Sequence, residues 1–222
     1  MTAAGLVKPP APAVPSWRSS SGARLGWLHA RSRRVPAAVL ALAVCGGVLR
    51  ASLHWHWVIG SGQEAQQIPM IIETGAAAVI AVTSHSPFGE PERATGRWLP
   101  YLRLGTALAL TGLAIGLLQL AVTGASLNEG IAVLARNVLG LTGIGLLTSL
   151  ATGGLLAWTL PLGYLAFAQY ALLEAWRGPW LWPVRPPADR GAWIWACLVF
   201  AAGLLAFAVR GARTTLADGP HG

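Results

Sequence analysis

Six mostly apolar stretches divide the chain, each close to the roughly 20 residues that carry a helix across a bilayer. They run over about 36–55, 68–84, 101–123, 130–150, 154–175 and 191–209. Proline, glycine, tryptophan and charged residues separate them, the residue types that end helices or sit at the edge of lipid. The pattern predicts an all-α integral membrane protein with six transmembrane helices. Only Ala151-Thr152-Gly153-Gly154 lies between the fourth and fifth stretches, so a tight Gly-Gly turn and one broken or tilted element both fit. The two halves share no alignable motif, which argues against an inverted-repeat transporter.

Composition points the same way. Of the 222 residues, 54% are hydrophobic and 11% charged, against about 25% charged in an ordinary soluble domain. Residues 1–19 stand apart: Pro9, Pro10, Pro12 and Pro15 exclude a helix and predict a disordered tail. Residues 20–35 are basic and carry Leu25, Trp27 and Leu28. They read either as an amphipathic helix on the inner membrane surface or as a basic flank that orients the first span. The six-helix domain then covers 36–210, and 211–222 form a short C-terminal tail.

The net charge is +8, and the cations sort by side. With the N-terminus inside, eleven of the sixteen Lys and Arg residues fall on the inner side and five on the outer. The positive-inside rule then puts both termini in the cytoplasm and accounts for the basic balance without nucleic acid. Trp55, Trp57, Trp176, Trp180, Trp182, Trp193 and Trp195 gather on the outer side as an interfacial belt.

Common catalytic patterns are missing. There is no GxxxxGK[ST], HExxH, CxxC or GxSxG, and the only lysine, Lys8, lies in the tail. The chain is expected to be no enzyme and to need no cofactor or metal. His54 and His56 stand two apart, but no third ligand is near, so they read as interfacial residues. Cys45 and Cys197 lie in apolar runs and read as packing residues.

Arg50, Glu73, Arg136 and Glu174 lie within or at the ends of spans. An ionisable group at mid-span costs at least about 2.5–3.5 kcal/mol and so needs a partner or a water path. Glu73 and Arg136 fall at matched depth, roughly 8–9 Å below the outer boundary, on two spans that run in the same direction. They are expected to pair, with Asn137 adjacent, either as a packing ion pair or as the lining of an outer gate. Gly105, Gly112 and Gly116 on the third span, and Gly140, Gly143 and Gly145 on the fourth, mark close helix contacts within the chain or in a dimer.

The inner loop His85–Pro100 is the only substantial cytoplasmic one. Pro91 and Glu92 can open a short helix over about 91–98 that presents Arg93, Arg97 and Trp98. It reads as a docking element for a cytoplasmic partner or as an ordinary charged loop.

About six spans, a basic segment before the first, a charged loop between the second and third, and no nucleotide motif form a recognisable layout. SPFGEPERATGRWLPYLRLG and ARNVLGLTGIGLLTSLATGGLLAW look similar to small permease-like proteins of high-GC Gram-positive bacteria. Over roughly 30–210 the chain resembles the membrane (permease) subunit of type-2 ATP-binding-cassette (ABC) exporters, of actinobacterial type. The resemblance implies an elbow helix at about Ser20–Arg34 and a coupling loop whose contacts come from Glu90, Glu92, Arg93 and Arg97. It implies a plasma-membrane permease that works with a cytoplasmic ABC ATPase and a second permease copy or paralogue. In such a permease Pro161 and the glycines of the fourth span are the expected flexing points. The other expectation is a non-transporting membrane assembly, immunity or sensor protein.

Overall fold

The computed structural model describes residues 34–55, 67–84, 99–124, 130–174, 176, 178 and 180–210. Among them every regular element is helical: α1 Val35–His54, α2 Gln67–Thr83, α3 Leu99–Val122, α4 Gly130–Thr152, α5 Thr159–Leu173 and α6 Arg190–Arg210, with single 3-10 turns at Gly154–Leu156 and Trp182–Val184. Four of these, α1, α3, α4 from Ile131 and α6, are long and apolar enough to cross a membrane, and α2 is a shorter apolar helix of 17 residues. The tail 1–19, most of the basic segment 20–35, His56 and Trp57, the loop bearing Glu90, Glu92, Arg93 and Arg97, and the C-terminal 211–222 lie outside the described residues.

Helix ends follow local chemistry. Pro36 falls in the first turn of α1, where its missing N–H costs nothing. Arg50 reaches from α1 to the carbonyls of Ala121 and Thr123, at 3.3 and 3.0 Å, and so covers the open end of α3. Within the helices, hydroxyls bond back along their own backbone: Thr74 to Met70, Thr111 to Ala107 and Thr148 to Ile144, each at 2.7–2.8 Å. Such bonds let polar residues sit in an apolar medium with no water to meet them.

The outer surface is apolar. Leu173 is 80% exposed, Val209 75%, Leu40 67% and Leu120 65%. A water-soluble monomer avoids so much contiguous exposed hydrocarbon, whereas lipid is its natural solvent. This surface and the four membrane-length helices make the chain a membrane protein. The polar residues go inward, onto α2 and α4, which form the centre: Glu73, Thr74, Arg136, Asn137, Thr142, Thr148 and Ser149 are all buried.

The two sets of glycines part company. On α4, a Cβ at Gly143 would stand 2.6 Å from the Phe200 backbone of α6, and one at Gly203 would stand 2.5 Å from the Gly143 carbonyl oxygen. One at Gly145 would meet the Ala81 methyl of α2 at 2.7 Å. These glycines bring helix backbones together within the chain, as small residues do where packing replaces the hydrophobic drive. Among the described residues, nothing lies within 4 Å of a carbon added at Gly105, Gly112 or Gly116 on α3.

Helices α4 and α5 are separate. Gly153 takes φ 88°, a conformation that favours glycine, and a 3-10 turn follows before α5 starts at Thr159. The fifth helix therefore begins about five residues later than its hydropathy suggests. Pro161 lies in its first turn, buried against Gly145, where a proline starts a helix rather than kinking it.

Candidate functional site

Glu73 lies six residues into α2, and Arg136 and Asn137 lie six and seven residues into α4. At 1.5 Å per residue all three sit about 9–10 Å from the start of their helices. Their exposures are 2%, 0% and 1%, so a carboxyl, a guanidinium and an amide share one enclosed layer. Asn137 Nδ2 donates to Glu73 Oε2 at 2.8 Å. Arg136 and Asn137 are consecutive, and consecutive side chains on a helix diverge by about 100°. While Asn137 faces α2, Arg136 points to the segment between α5 and α6. Its Nη1 donates to the Pro186 carbonyl and its Nη2 to the Arg185 carbonyl, both at 2.9 Å. Its charge also lies within Coulombic range of Glu73.

That connecting segment is folded onto the bundle. Trp182 is 2% exposed, packs where a Gly140 side chain would otherwise stand, and stacks on Tyr164 of α5 with ring centres 4.7 Å apart. Tyr164 donates its hydroxyl to the Trp180 carbonyl at 2.6 Å, and Trp193 donates its indole N–H to the Pro187 carbonyl at 3.2 Å. The Arg185 guanidinium meets Asp189 at 2.5 Å. Asp189 also accepts the Ala192 N–H at 3.0 Å, which caps the first turn of α6. Together these contacts close the α4, α5 and α6 end of the bundle above the charged layer.

Asp189 stands at the head of α6, before the apolar run. The Ala192 N–H foremost, with the Arg185 guanidinium adding to it, holds its carboxyl below the ordinary aspartate range. A depressed folded value stabilises the fold above the unfolded pKa of about 3.9, and this is lost as pH falls through the folded value. Asp189→Asn keeps a capping oxygen and loses the charge. Thermal unfolding followed from neutral to acid pH is expected to fall less steeply in D189N than in the parent; parallel curves would show that the charge contributes nothing.

Of the expected site residues, the structure brings Glu73, Arg136 and Asn137 into one layer. Asn137 holds the carboxyl directly, and Arg136 anchors the connection between α5 and α6. Sequence reasoning missed the Arg185 and Pro186 carbonyls as partners of Arg136, because backbone acceptors leave no trace in residue identity. It also missed Trp182 as a packed residue, for which the nearest signal was the unfilled side of Gly140. Among the described residues no three His, Cys, Asp or Glu side chains gather as a metal site would require.

No protein-family model matches the chain, and no curated protein or solved structure matches it either.

Proposed function

We propose that the chain is the permease subunit of an ATP-driven exporter in the plasma membrane, crossing it six times with both termini in the cytoplasm. The observation that carries this reading is the buried layer of Glu73, Asn137 and Arg136. Ionisable groups at membrane depth cost stability, and a protein that only anchors itself has no use for them. They mark transport paths and moving helix contacts far more often than passive spans. The absence of a P-loop assigns ATP hydrolysis to a separate subunit, and the cytoplasmic loop with Glu90, Glu92, Arg93 and Arg97 is the segment that would meet it. Closure of the ATPase pair would push that loop, tilt α2 and α3 as rigid bodies, and rearrange the contacts of the charged layer.

A second reading is a non-transporting membrane assembly, immunity or sensor protein. It is favoured by the open small-residue face of α3, where a Cβ added at Gly105, Gly112 or Gly116 would meet none of the described residues within 4 Å. The two readings separate by co-purification with the ATPase encoded nearest to this chain. The permease reading expects the ATPase to follow the chain in mild detergent. Changing Glu90, Glu92, Arg93 and Arg97 together to Ala is expected to weaken that association at least about tenfold, roughly 1.4 kcal/mol. An ATPase that never associates, or one indifferent to the loop, would overturn the permease assignment.

A further inference from the structure

We propose that Glu73 is a reversible proton-binding site, with the Asn137 amide as its hydrogen-bond partner in both protonation states. The proposal stands on the geometry of α2 and α4 and holds whether or not the chain is a permease.

Glu73 and Asn137 are 2% and 1% exposed, so neither relies on bulk water. One edge of the pair is already made, with Asn137 Nδ2 donating to Glu73 Oε2 at 2.8 Å. The other edge of the same amide, Oδ1, is buried and has no hydrogen-bond partner. An orphaned amide oxygen in an apolar interior is costly and calls for a donor. A carboxylate offers none, because an ionised carboxyl only accepts. A protonated carboxyl offers one O–H, and a carboxylic acid and a carboxamide are complementary. The new O–H can reach Oδ1 beside the existing bond or after a half-turn of the amide. The step is a plain proton equilibrium: a proton from water joins a carboxylate oxygen, the O–H then donates to Asn137 Oδ1, and release returns the proton to water.

The surrounding charges allow both states. On α4, Arg136 lies within Coulombic range, and its Nη groups are held by the Arg185 and Pro186 carbonyls. Its charge can balance a carboxylate through space. The connector contributes the Arg185–Asp189 pair, whose charges offset each other. On α5 the titratable side chain turned toward this end is Tyr164, which donates to Trp180. On α1 the groups are Cys45, His54 in the last turn, and Arg50, which is bound to carbonyls at the end of α3. The half of α3 that leads to that end carries no ionisable residue. The other carboxylate among these groups, Asp189, is held by Arg185 and the Ala192 N–H.

The test is infrared difference spectroscopy of the full chain in lipid vesicles, titrated from acid to alkaline pH and back. The expected result is a carboxylic-acid C=O band with the amplitude of a single carboxyl that appears and disappears reversibly, is absent in Glu73→Gln, and shifts to higher frequency in Asn137→Leu as its hydrogen bond is lost. Should E73Q fail to fold, Glu73→Asp serves instead, and its band must move while those of the other carboxyls stay. A band constant across the titration would mean a permanently protonated acid. No band dependent on Glu73 at any pH would mean a permanently ionised one. A band unmoved in N137L would remove the amide from the site. Each of these overturns the proposal.

Discussion

Gly143→Leu is expected to cost about 3 kcal/mol, the upper end of the range for overpacking a filled interior. The reason is the identity of the atoms in the way. A Cβ at Gly143 meets the N and Cα of Phe200 and the carbonyl oxygen of Val199, all at 2.6 Å. These are backbone atoms of a helix that cannot rotate aside as a side chain would. The Gly203 side of the contact is equally closed, since an added carbon there meets the Gly143 carbonyl oxygen. A leucine can enter only if α4 and α6 separate along their length. Against a total stability of about 5–15 kcal/mol, a loss of this size is large. Gly112→Leu on α3 provides the contrast, because none of the described residues lies within 4 Å of an added Cβ there. Its cost within the isolated chain is expected to stay within about 0.5 kcal/mol. Thermal unfolding in detergent compares the two. If both variants melted with the parent, the close α4–α6 crossing would be wrong.

Arg136→Met is expected to lose about 3–5 kcal/mol, as removal of one member of a buried charge set does. The substitution removes two charge-assisted bonds to the Arg185 and Pro186 carbonyls and leaves Glu73 without its compensating charge. Lysine should not rescue it, since one ammonium does not reproduce the planar fork that spans two successive carbonyls. The connection between α5 and α6 should loosen, and trypsin should then cut after Arg190 faster than in the parent; the bond after Arg185 leads into Pro186 and resists trypsin in both. Glu73→Gln added to Arg136→Met should recover part of the loss by removing the stranded carboxylate, giving a coupling of about 1–3 kcal/mol in a double-mutant cycle. Strict additivity would show that the carboxyl and the guanidinium do not sense each other. The same cycle separates two jobs of Arg136, since the contribution from the loop carbonyls is not recovered by changing Glu73.

Much of the architecture was legible from apolar run lengths, and α1, α2, α3, α4 and α6 begin and end within about two residues of their hydropathy limits. The exception is the start of α5. Residues 154–158 are nearly as apolar as a helix, but Gly153 reverses the chain and the 3-10 turn uses up the next residues. Hydropathy measures solvent preference and is blind to this backbone event. The polar layer was legible for a different reason. Charges in lipid are so costly that Glu73 and Arg136 stand out on two helices, and equal depth follows from counting residues. The division of labour between Arg136 and Asn137 was not legible, because it depends on which way α4 is rotated. That rotation is set by the Gly143–Gly203 contact, which lies two turns along on the Arg136 face of the helix. The glycines themselves read as contact markers on both α3 and α4. Only coordinates separate those that meet a helix of the same chain from those that face outward.

At 15 residues, α5 is about 22 Å long, short of the roughly 30 Å hydrocarbon core unless the preceding turn adds to it. It is the helix on which a six-span bundle depends, because losing it would put α6 and the C-terminus on the other side. Single cysteines at Asn128, Thr152, Pro187 and Gly222, in a chain with Cys45 and Cys197 changed to Ser, can be labelled in intact cells with a membrane-impermeant maleimide; Thr152 is the exposed last residue of α4. The account predicts labelling at 128 and 187 from outside, and at 152 and 222 only after the cells are opened. Labelling of 152 and 187 from the same side would contradict it, leaving α5 in one leaflet and the charged layer without the bundle that encloses it.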